Sequence, residues 1–171
     1  MRIVRTKVYK FSELSEDAKN VALQSMYDIN VNYDWWQYIY EDAANVGLEI
    51  AGFDLDRNRH ATGSFNLASC EVAQNIFNNH GIGCNTFDTA TNFMDEWQPI
   101  FNDYMNESSE NYESRESETQ LQDIEDEFLK SLLEDYSIIL QKECEYLQSE
   151  TAIIQTIESN EYEFLQNGKR F

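Results

Sequence analysis

A run of apolar residues at helical spacing near the C-terminal end limits the possible folds more than any other feature. From Leu121 to Leu147 apolar residues recur every three or four positions, which places them along one side of a helix. Leu129, Leu133 and Leu140 widen that side, whereas the other positions are rich in Asp and Glu. The pattern predicts a long amphipathic helix that needs a core on one face and leaves an acidic face on the other.

Shorter patterns predict a small β component. Alternation over residues 4–9 is typical of a strand, and the runs 48–56 and 60–67 are strand-like segments joined by a polar loop. Residues 161–165 alternate again before an Asn-Gly turn. The sequence therefore predicts an α+β fold: a small antiparallel sheet (N-terminal strand, central hairpin, C-terminal strand) packed with several helices, including one long acidic amphipathic helix.

Capping residues mark where the other helices begin and end. Ser15 is a natural N-cap for the helical pattern that follows it, and Asp34 would cap a second helix that Gly47 stops. Ser69 is a possible cap for a third helix, and Ser149 or Thr151 for a short one near the end of the chain.

The polar stretch in the middle of the chain predicts a connection between helices. Residues 86–105 have a helical and aromatic pattern with one possible interruption at Pro99, and residues 106–119 contain no aliphatic side chain. We expect a flexible link or a solvated helical turn there. The length fits a single domain over residues 1–171, with an α+β core part at 1–94, an acidic helical part at 95–160 and a closing strand at 161–171.

The acid excess limits the classes of partner. The chain carries 32 Asp and Glu against 12 Lys and Arg, a formal net charge of −20. Because affinity for nucleic acid depends on Lys and Arg contacts to phosphate, we expect no direct nucleic-acid binding. No window approaches the roughly 18 apolar residues of a membrane span, and residues 1–11 lack the apolar core of a signal peptide. We therefore expect no membrane association and a cytoplasmic location.

The hairpin loop resembles the start of a calcium-binding loop, but the resemblance fails. Asp54, Asp56 and Asn58 alternate as calcium ligands do. The twelve-residue loop also needs Gly at its sixth position and Glu at its twelfth, where this chain has Arg59 and Phe65. We expect a hairpin turn whose arginines neutralise its aspartates.

The cysteines and histidines do not predict a reaction. Cys70, His80 and Cys84 supply zinc-ligand types without a Cys-x-x-Cys pair or a fourth ligand. His80 and Cys84 also have the residue types of a nucleophile pair, but no third member is evident. The three cysteines, Cys144 included, are expected to be reduced and buried. The sequence thus predicts a protein that is not an enzyme and uses no cofactor or metal, with an enzyme whose site is not evident as the third alternative.

Acidic residues are concentrated in the C-terminal part. Residues 95–163 hold 20 acids and only three bases, so the acidic helix face has few lysines to neutralise it. Like charges at i and i+4 destabilise a helix, which favours an acidic face that a basic partner covers. Trp35 and Trp36 are candidate aromatic anchors. The predicted partner-binding residues are Asp95, Glu96, Asp103, Glu107, Glu110, Asp123, Glu125, Asp126, Glu127, Glu134, Asp135, Trp35 and Trp36.

Several strings resemble a known family. They are "FSELSEDAKNVALQSM", the Trp35–Trp36 pair, "EDAANVGLEIAGFDLDR" and "SNEYEFLQNGK". They resemble small acidic proteins encoded by phages and prophages and often labelled antitoxins of toxin–antitoxin stability systems. The resemblance runs over about residues 7–169, with residues 106–119 least similar, and it carries no catalytic signature. It implies a phage setting, the host cytoplasm, and a role against or beside host proteins.

Together these features predict a non-enzymatic, phage-type inhibitor of the anti-CRISPR kind. Its acidic, nucleic-acid-mimicking surface would bind the basic channel of a host defence nuclease or CRISPR effector. The alternative is an antitoxin or other binding module that neutralises a cognate toxin with the same surface. In both cases the expected partner is a basic protein.

Overall fold

The computed structural model describes residue 3, residues 5–106 and residues 112–171. The helices are α1 (Glu16–Ser25), α2 (Gln37–Val46), α3 (Ser69–Asn79), α4 (Asn85–Asn106), α5 (Tyr112–Leu147) and α6 (Glu150–Ser159). The strands are β1 (Tyr9–Lys10), β2 (Leu48–Asp54), β3 (His60–Phe65) and β4 (Glu163–Phe164). A short 3-10 helix, Phe11–Glu13, follows β1. The α+β class expected from the sequence is confirmed.

The chain divides into two compact units. Unit 1 contains the described residues up to Trp35 together with Lys142–Phe171, and unit 2 contains Trp36–Gln141. Helix α5 therefore belongs to unit 2 up to Gln141 and to unit 1 from Lys142 onward.

Unit 1 is built on a two-residue antiparallel ladder. Tyr9 pairs with Phe164, and the ring of the buried Phe164 meets Phe11 edge-on at 6.1 Å between centroids. Small residues of α1 and aliphatic residues of α6 complete this core, including Ala22 and Ile157. Ser15 caps α1 through the amide of Ala18, as its position in the sequence predicts.

Unit 2 is built on the β2–β3 hairpin. Leu48 lies opposite Phe65, and a register shift between Ile50 and Gly52 marks a bulge. Gly47 ends α2 with a φ of 98°, a conformation that favours glycine. The apolar faces of α2 and α3 bury residues such as Val46 and Val72 completely.

Three local predictions differ from the structure. The hairpin and the terminal strands form two separate two-stranded sheets, β1–β4 and β2–β3, and not one. Of the predicted first strand, Tyr9 is in β1, but the described residues 5–8 are not in a strand because β4 offers only two partners. Ser69 is the first residue of α3, whose N-cap is Ala68.

The bounds of the helices also differ from those predicted from the sequence. Helix α2 starts at Gln37 with Trp36 as its N-cap, three residues after the predicted cap. Pro99 lies inside α4 and does not end it. Part of the expected link, residues 112–119, is the first part of α5, whereas residues 107–111 lie outside the described residues.

Candidate functional site: an acidic surface on α4 and α5

Aromatic packing fixes α4 against α5 within unit 2. The rings of Phe93 and Phe128 stack at 4.2 Å with an interplanar angle of 11°. One turn further along α4, the Trp97 indole N–H donates to Glu125 Oε1 at 3.0 Å. Trp97 and Phe128 are both buried, so these contacts set which side chains of the two helices lie at the surface between them.

Acidic side chains from both helices meet at a narrow groove. Glu96 of α4 and Glu127 of α5 line the same groove, of about 140 Å³, together with Asn92 and Ile124. Both glutamates are exposed. The sequence places these residues 31 positions apart, and the helix pairing brings them to one surface.

A larger groove lies beside α5 on the hairpin side. It has a volume of about 640 Å³, and it is lined by His60 and Ala61 of β3 and by the half-buried Leu129 and Leu133 of α5. Its acidic lining residues are Asp126, Glu127, Glu134 and Asp135. We call the exposed acids of the two grooves the acidic surface, which comprises Glu96, Asp126, Glu127 and Glu134.

Few positive charges balance this surface. Helix α4 contains four acids and no Lys or Arg, and α5 contains eleven acids and three bases. Lys130 forms an exposed ion pair with Glu127 at 3.0 Å. Arg59 reaches across from the hairpin to Glu134 and also donates to Gln141 at 2.7 Å. Two of the four acids of the surface, Glu127 and Glu134, therefore have a basic neighbour, and the surface keeps a net negative charge through Glu96 and Asp126.

Asp135 lies beneath the acidic surface. Its residue is 8% exposed, and its Oδ2 accepts the Thr89 hydroxyl at 2.6 Å. Burial raises the pKa of the Asp135 carboxyl, and hydrogen bonds from Thr89 and Asn85 lower it in part. Asp135 therefore joins α4 to α5 more than it presents a charge to solvent.

The other predicted partner-binding residues lie in different surroundings. Asp95, Asp103 and Asp123 are exposed but do not line either groove, and Glu125 is half-buried under Trp97. Trp35 is 8% exposed and belongs to unit 1, whereas Trp36 belongs to unit 2. The Trp36 ring meets Phe53 edge-on at 5.5 Å. Glu107 and Glu110 lie outside the described residues.

Sequence reasoning missed the part of the groove that is not acidic. His60 belongs to no recognisable motif. Leu129 and Leu133 were assigned to the apolar side of the helix, because helical spacing shows which residues share a face but not which element lies next to that face. Arg59 was expected to neutralise Asp54 or Asp56, but its guanidinium bonds to Glu134, Gln141 and Ser137. No local signal relates a hairpin arginine to a helix 75 residues later.

Other chemistry finds less support in the described part of the chain. No group of three or more His, Cys, Asp and Glu side chains lies close enough there to hold a metal ion. Asp54 Oδ1 accepts the Asp56 amide at 2.8 Å, which is a turn contact and fits the expected hairpin turn.

None of the described helices is both long and apolar enough to span a membrane.

Comparison of the chain with protein-family models, with curated proteins and with solved structures found no match. The resemblance to phage-encoded acidic proteins stays a prediction from the strings quoted above.

Proposed function

We propose that the chain is a non-enzymatic inhibitor of the phage type that binds a host defence nuclease or an RNA-guided CRISPR effector through the acidic surface. The observation that carries the proposal is the meeting of Glu96 with Glu127 at one groove, beside a second groove with three further acids. Acids from two helices then present more charge to one partner than a single helix face does.

The local charge density supports mimicry of nucleic acid. Asp123, Asp126 and Glu127 are exposed and fall within about 6 Å of helix axis, or roughly one exposed carboxylate per 3 Å, whereas Glu125 between them is half-buried against Trp97. Duplex DNA carries about one charge per 1.7 Å. Over all of α5 the acids are sparser, so the similarity is confined to this part of the helix.

The alternative, an antitoxin that neutralises a basic toxin, is supported by a different observation. Leu129 and Leu133 give the larger groove an apolar part, which fits an apolar side chain of a specific small partner. The nucleic-acid backbone that the inhibitor would mimic has no such apolar part. The two functions therefore differ in whether DNA competes with the chain for the partner.

The proposal is tested with bacteria that carry a nuclease-based or CRISPR defence and express the chain during phage challenge. We expect the chain to raise phage plating, and purified chain to block target cleavage in competition with DNA. The triple variant Glu96→Lys, Asp126→Lys and Glu127→Lys should lose at least about 10-fold in inhibition. Glu125 is left intact because it accepts the Trp97 indole N–H.

The matched control carries the same charge change in unit 1, at the exposed residues Glu158, Glu161 and Glu163. Replacing these with Lys should leave inhibition within about 2-fold. Equal losses in both triple variants would make the effect one of net charge alone and would contradict the proposal. Rescue of cells from a toxin, without any effect on defence or competition by DNA, would favour the antitoxin.

A further inference from the structure

A connected chain of polar side chains lies at the N-terminal end of α4, away from the acidic surface residues. It runs from Cys84 through Thr86, His80 and Asp42 to Tyr136, all within unit 2. Cys84 directly precedes α4, and its carbonyl accepts the amide of Asp88 at 3.1 Å. The expectation that all three cysteines are buried is wrong: Cys84 is exposed, and Cys70 and Cys144 are half-buried.

The Thr86 hydroxyl connects the thiol to the imidazole. Its Oγ1 lies 3.3 Å from Cys84 Sγ and 2.7 Å from His80 Nδ1, and Thr86 is only 3% exposed. A hydroxyl both donates and accepts, so it can accept the thiol proton on one side while it donates to Nδ1 on the other. Burial of Thr86 keeps water from replacing it in this position.

The second nitrogen of His80 faces a carboxylate and has no hydrogen bond within the described part of the chain. Nε2 is buried, and no hydrogen-bond partner for it exists among the described residues. The His80 side chain is 9% exposed, and Nε2 lies 3.6 Å from Asp42 Oδ2. That distance is long for a hydrogen bond but within range of an ion pair once the ring is protonated.

Asp42 is itself held in place to face the ring. Its Oδ2 accepts the hydroxyl of the fully buried Tyr136 at 2.8 Å. The groups that face His80 are therefore a carboxylate from α2, a phenol behind that carboxylate from α5 and a hydroxyl from α4. None of them is a cation, so a proton on His80 is opposed by no like charge in this cluster.

We propose that Cys84 is a modification site that reacts with low-molecular-weight disulfides, and that its proton passes through the Thr86 hydroxyl to His80. The Cys84 S–H proton moves to Thr86 Oγ1 while the Thr86 proton moves to His80 Nδ1. The thiolate then attacks one sulfur of the disulfide, a new sulfur–sulfur bond forms, the old one breaks, and the leaving thiolate takes the proton. Cysteine is oxidised, and half of the reagent is reduced.

The surroundings of the thiol leave room for this reagent. An added Cβ on Gly81 or on Gly83 would meet nothing within 4 Å, so the loop beside Cys84 is open. Cys70 and Cys144 are half-buried and serve as internal references. Burial also raises the pKa of the Cys144 thiol, which slows its reaction at neutral pH.

The test uses the full chain with oxidised glutathione at neutral pH and follows the mass added at each cysteine. Cys84 should react at least about 10-fold faster than Cys70 or Cys144. Thr86→Val should slow Cys84 about 10-fold, and Thr86→Ser, which keeps the hydroxyl, should restore the rate. Thr91→Val is the control, because that hydroxyl bonds only to the Phe87 carbonyl of its own helix.

Asp42→Asn provides a second variant at a side chain that is 53% exposed, and the Asn oxygen can still accept the Tyr136 hydroxyl. It removes the charge that faces Nε2, and Cys84 should react several-fold more slowly. A Cys84 rate unchanged in both Thr86→Val and Asp42→Asn would overturn the relay. Equal rates at all three cysteines of the native chain would overturn the modification site.

Discussion

At the residue scale, two neighbouring acids of α5, Glu134 and Asp135, lie in opposite surroundings. Glu134 is exposed, whereas Asp135 is 8% exposed. The Thr89 hydroxyl and the Asn85 side chain bond to its carboxylate, but burial outweighs them and leaves the pKa raised. Ionised Asp135 is therefore a cost to the folded state.

We expect Asp135→Asn to raise the free energy of unfolding at pH 7. The carboxyl of the folded chain has a raised pKa, and the unfolded value is about 3.9. The folded state therefore binds the proton more tightly, and its stability falls as the pH rises above about 4. Asn cannot ionise, and its side-chain oxygen can still accept the Thr89 hydroxyl. Urea unfolding from pH 3.5 to 7 measures the difference between the variant and the native chain.

The gain from Asp135→Asn should disappear as the pH falls below about 4, where the Asp135 carboxyl becomes protonated in both the folded and the unfolded native chain. Asp126→Asn removes a charge from an exposed position on the same helix and is the control. A native chain that is more stable than Asp135→Asn at every pH would show that the hydrogen bonds to the carboxylate outweigh its burial.

At the scale of elements, Arg59 ties the β2–β3 hairpin to α5. Its guanidinium bonds to Glu134, to Gln141 Oε1 at 2.7 Å and to Ser137 Oγ at 3.1 Å. We expect Arg59→Ala to lower the free energy of unfolding by about 1 kcal/mol, since the side chain is partly exposed and water replaces part of what is lost.

Arg57→Ala is the matched control for the hairpin arginine. Arg57 is exposed in the same loop, and its removal should change the free energy of unfolding by less than about 0.5 kcal/mol. Thermal or urea unfolding of both variants makes the comparison. Equal effects of the two changes would mean that net charge, and not the bonds of Arg59, sets the stability.

Helical periodicity predicted most of the helices, whereas contacts between elements could not be predicted from the sequence. The apolar stripe after Leu121 predicted α5, and one of the two candidate caps for α6, Ser149, is its N-cap. The predicted caps of α2 and α3 are wrong. Residues 112–119 have no apolar stripe, but they contain good helix formers and extend a helix that is already nucleated by its packed part. Composition alone cannot show that extension, because it depends on the packing of residues further along.

Only the negative charge of the candidate site could be predicted from the sequence. The acid excess of residues 95–163 identified Glu96, Asp126, Glu127 and Glu134 among a larger set. Which of them share a groove depends on the Phe93–Phe128 stack and on the Trp97–Glu125 hydrogen bond. These are contacts between two helices, and no short-range pattern specifies them.

At the scale of the whole molecule, the net charge of −20 makes the folded chain repel itself. Raising the salt concentration from 0.01 to 0.1 M shortens the screening length from about 30 to about 10 Å. We expect the melting temperature to rise by a few degrees over this range, and to rise less in the triple variant of Glu96, Asp126 and Glu127. Calorimetry measures it, and a melting temperature that falls with salt would contradict strong self-repulsion.

The central claim is that the acidic surface binds a basic partner, and the affinity of a purified defence nuclease or CRISPR effector for the chain tests it most directly. Affinity is measured for the native chain and for the two triple Lys variants, with 0.05 M and 0.15 M salt. We predict that the native chain binds more weakly at the higher salt concentration. The variant at Glu96, Asp126 and Glu127 should lose at least about 10-fold in affinity, whereas the unit 1 variant should bind almost as the native chain does. Binding that is independent of salt and equal in all three proteins would contradict the account.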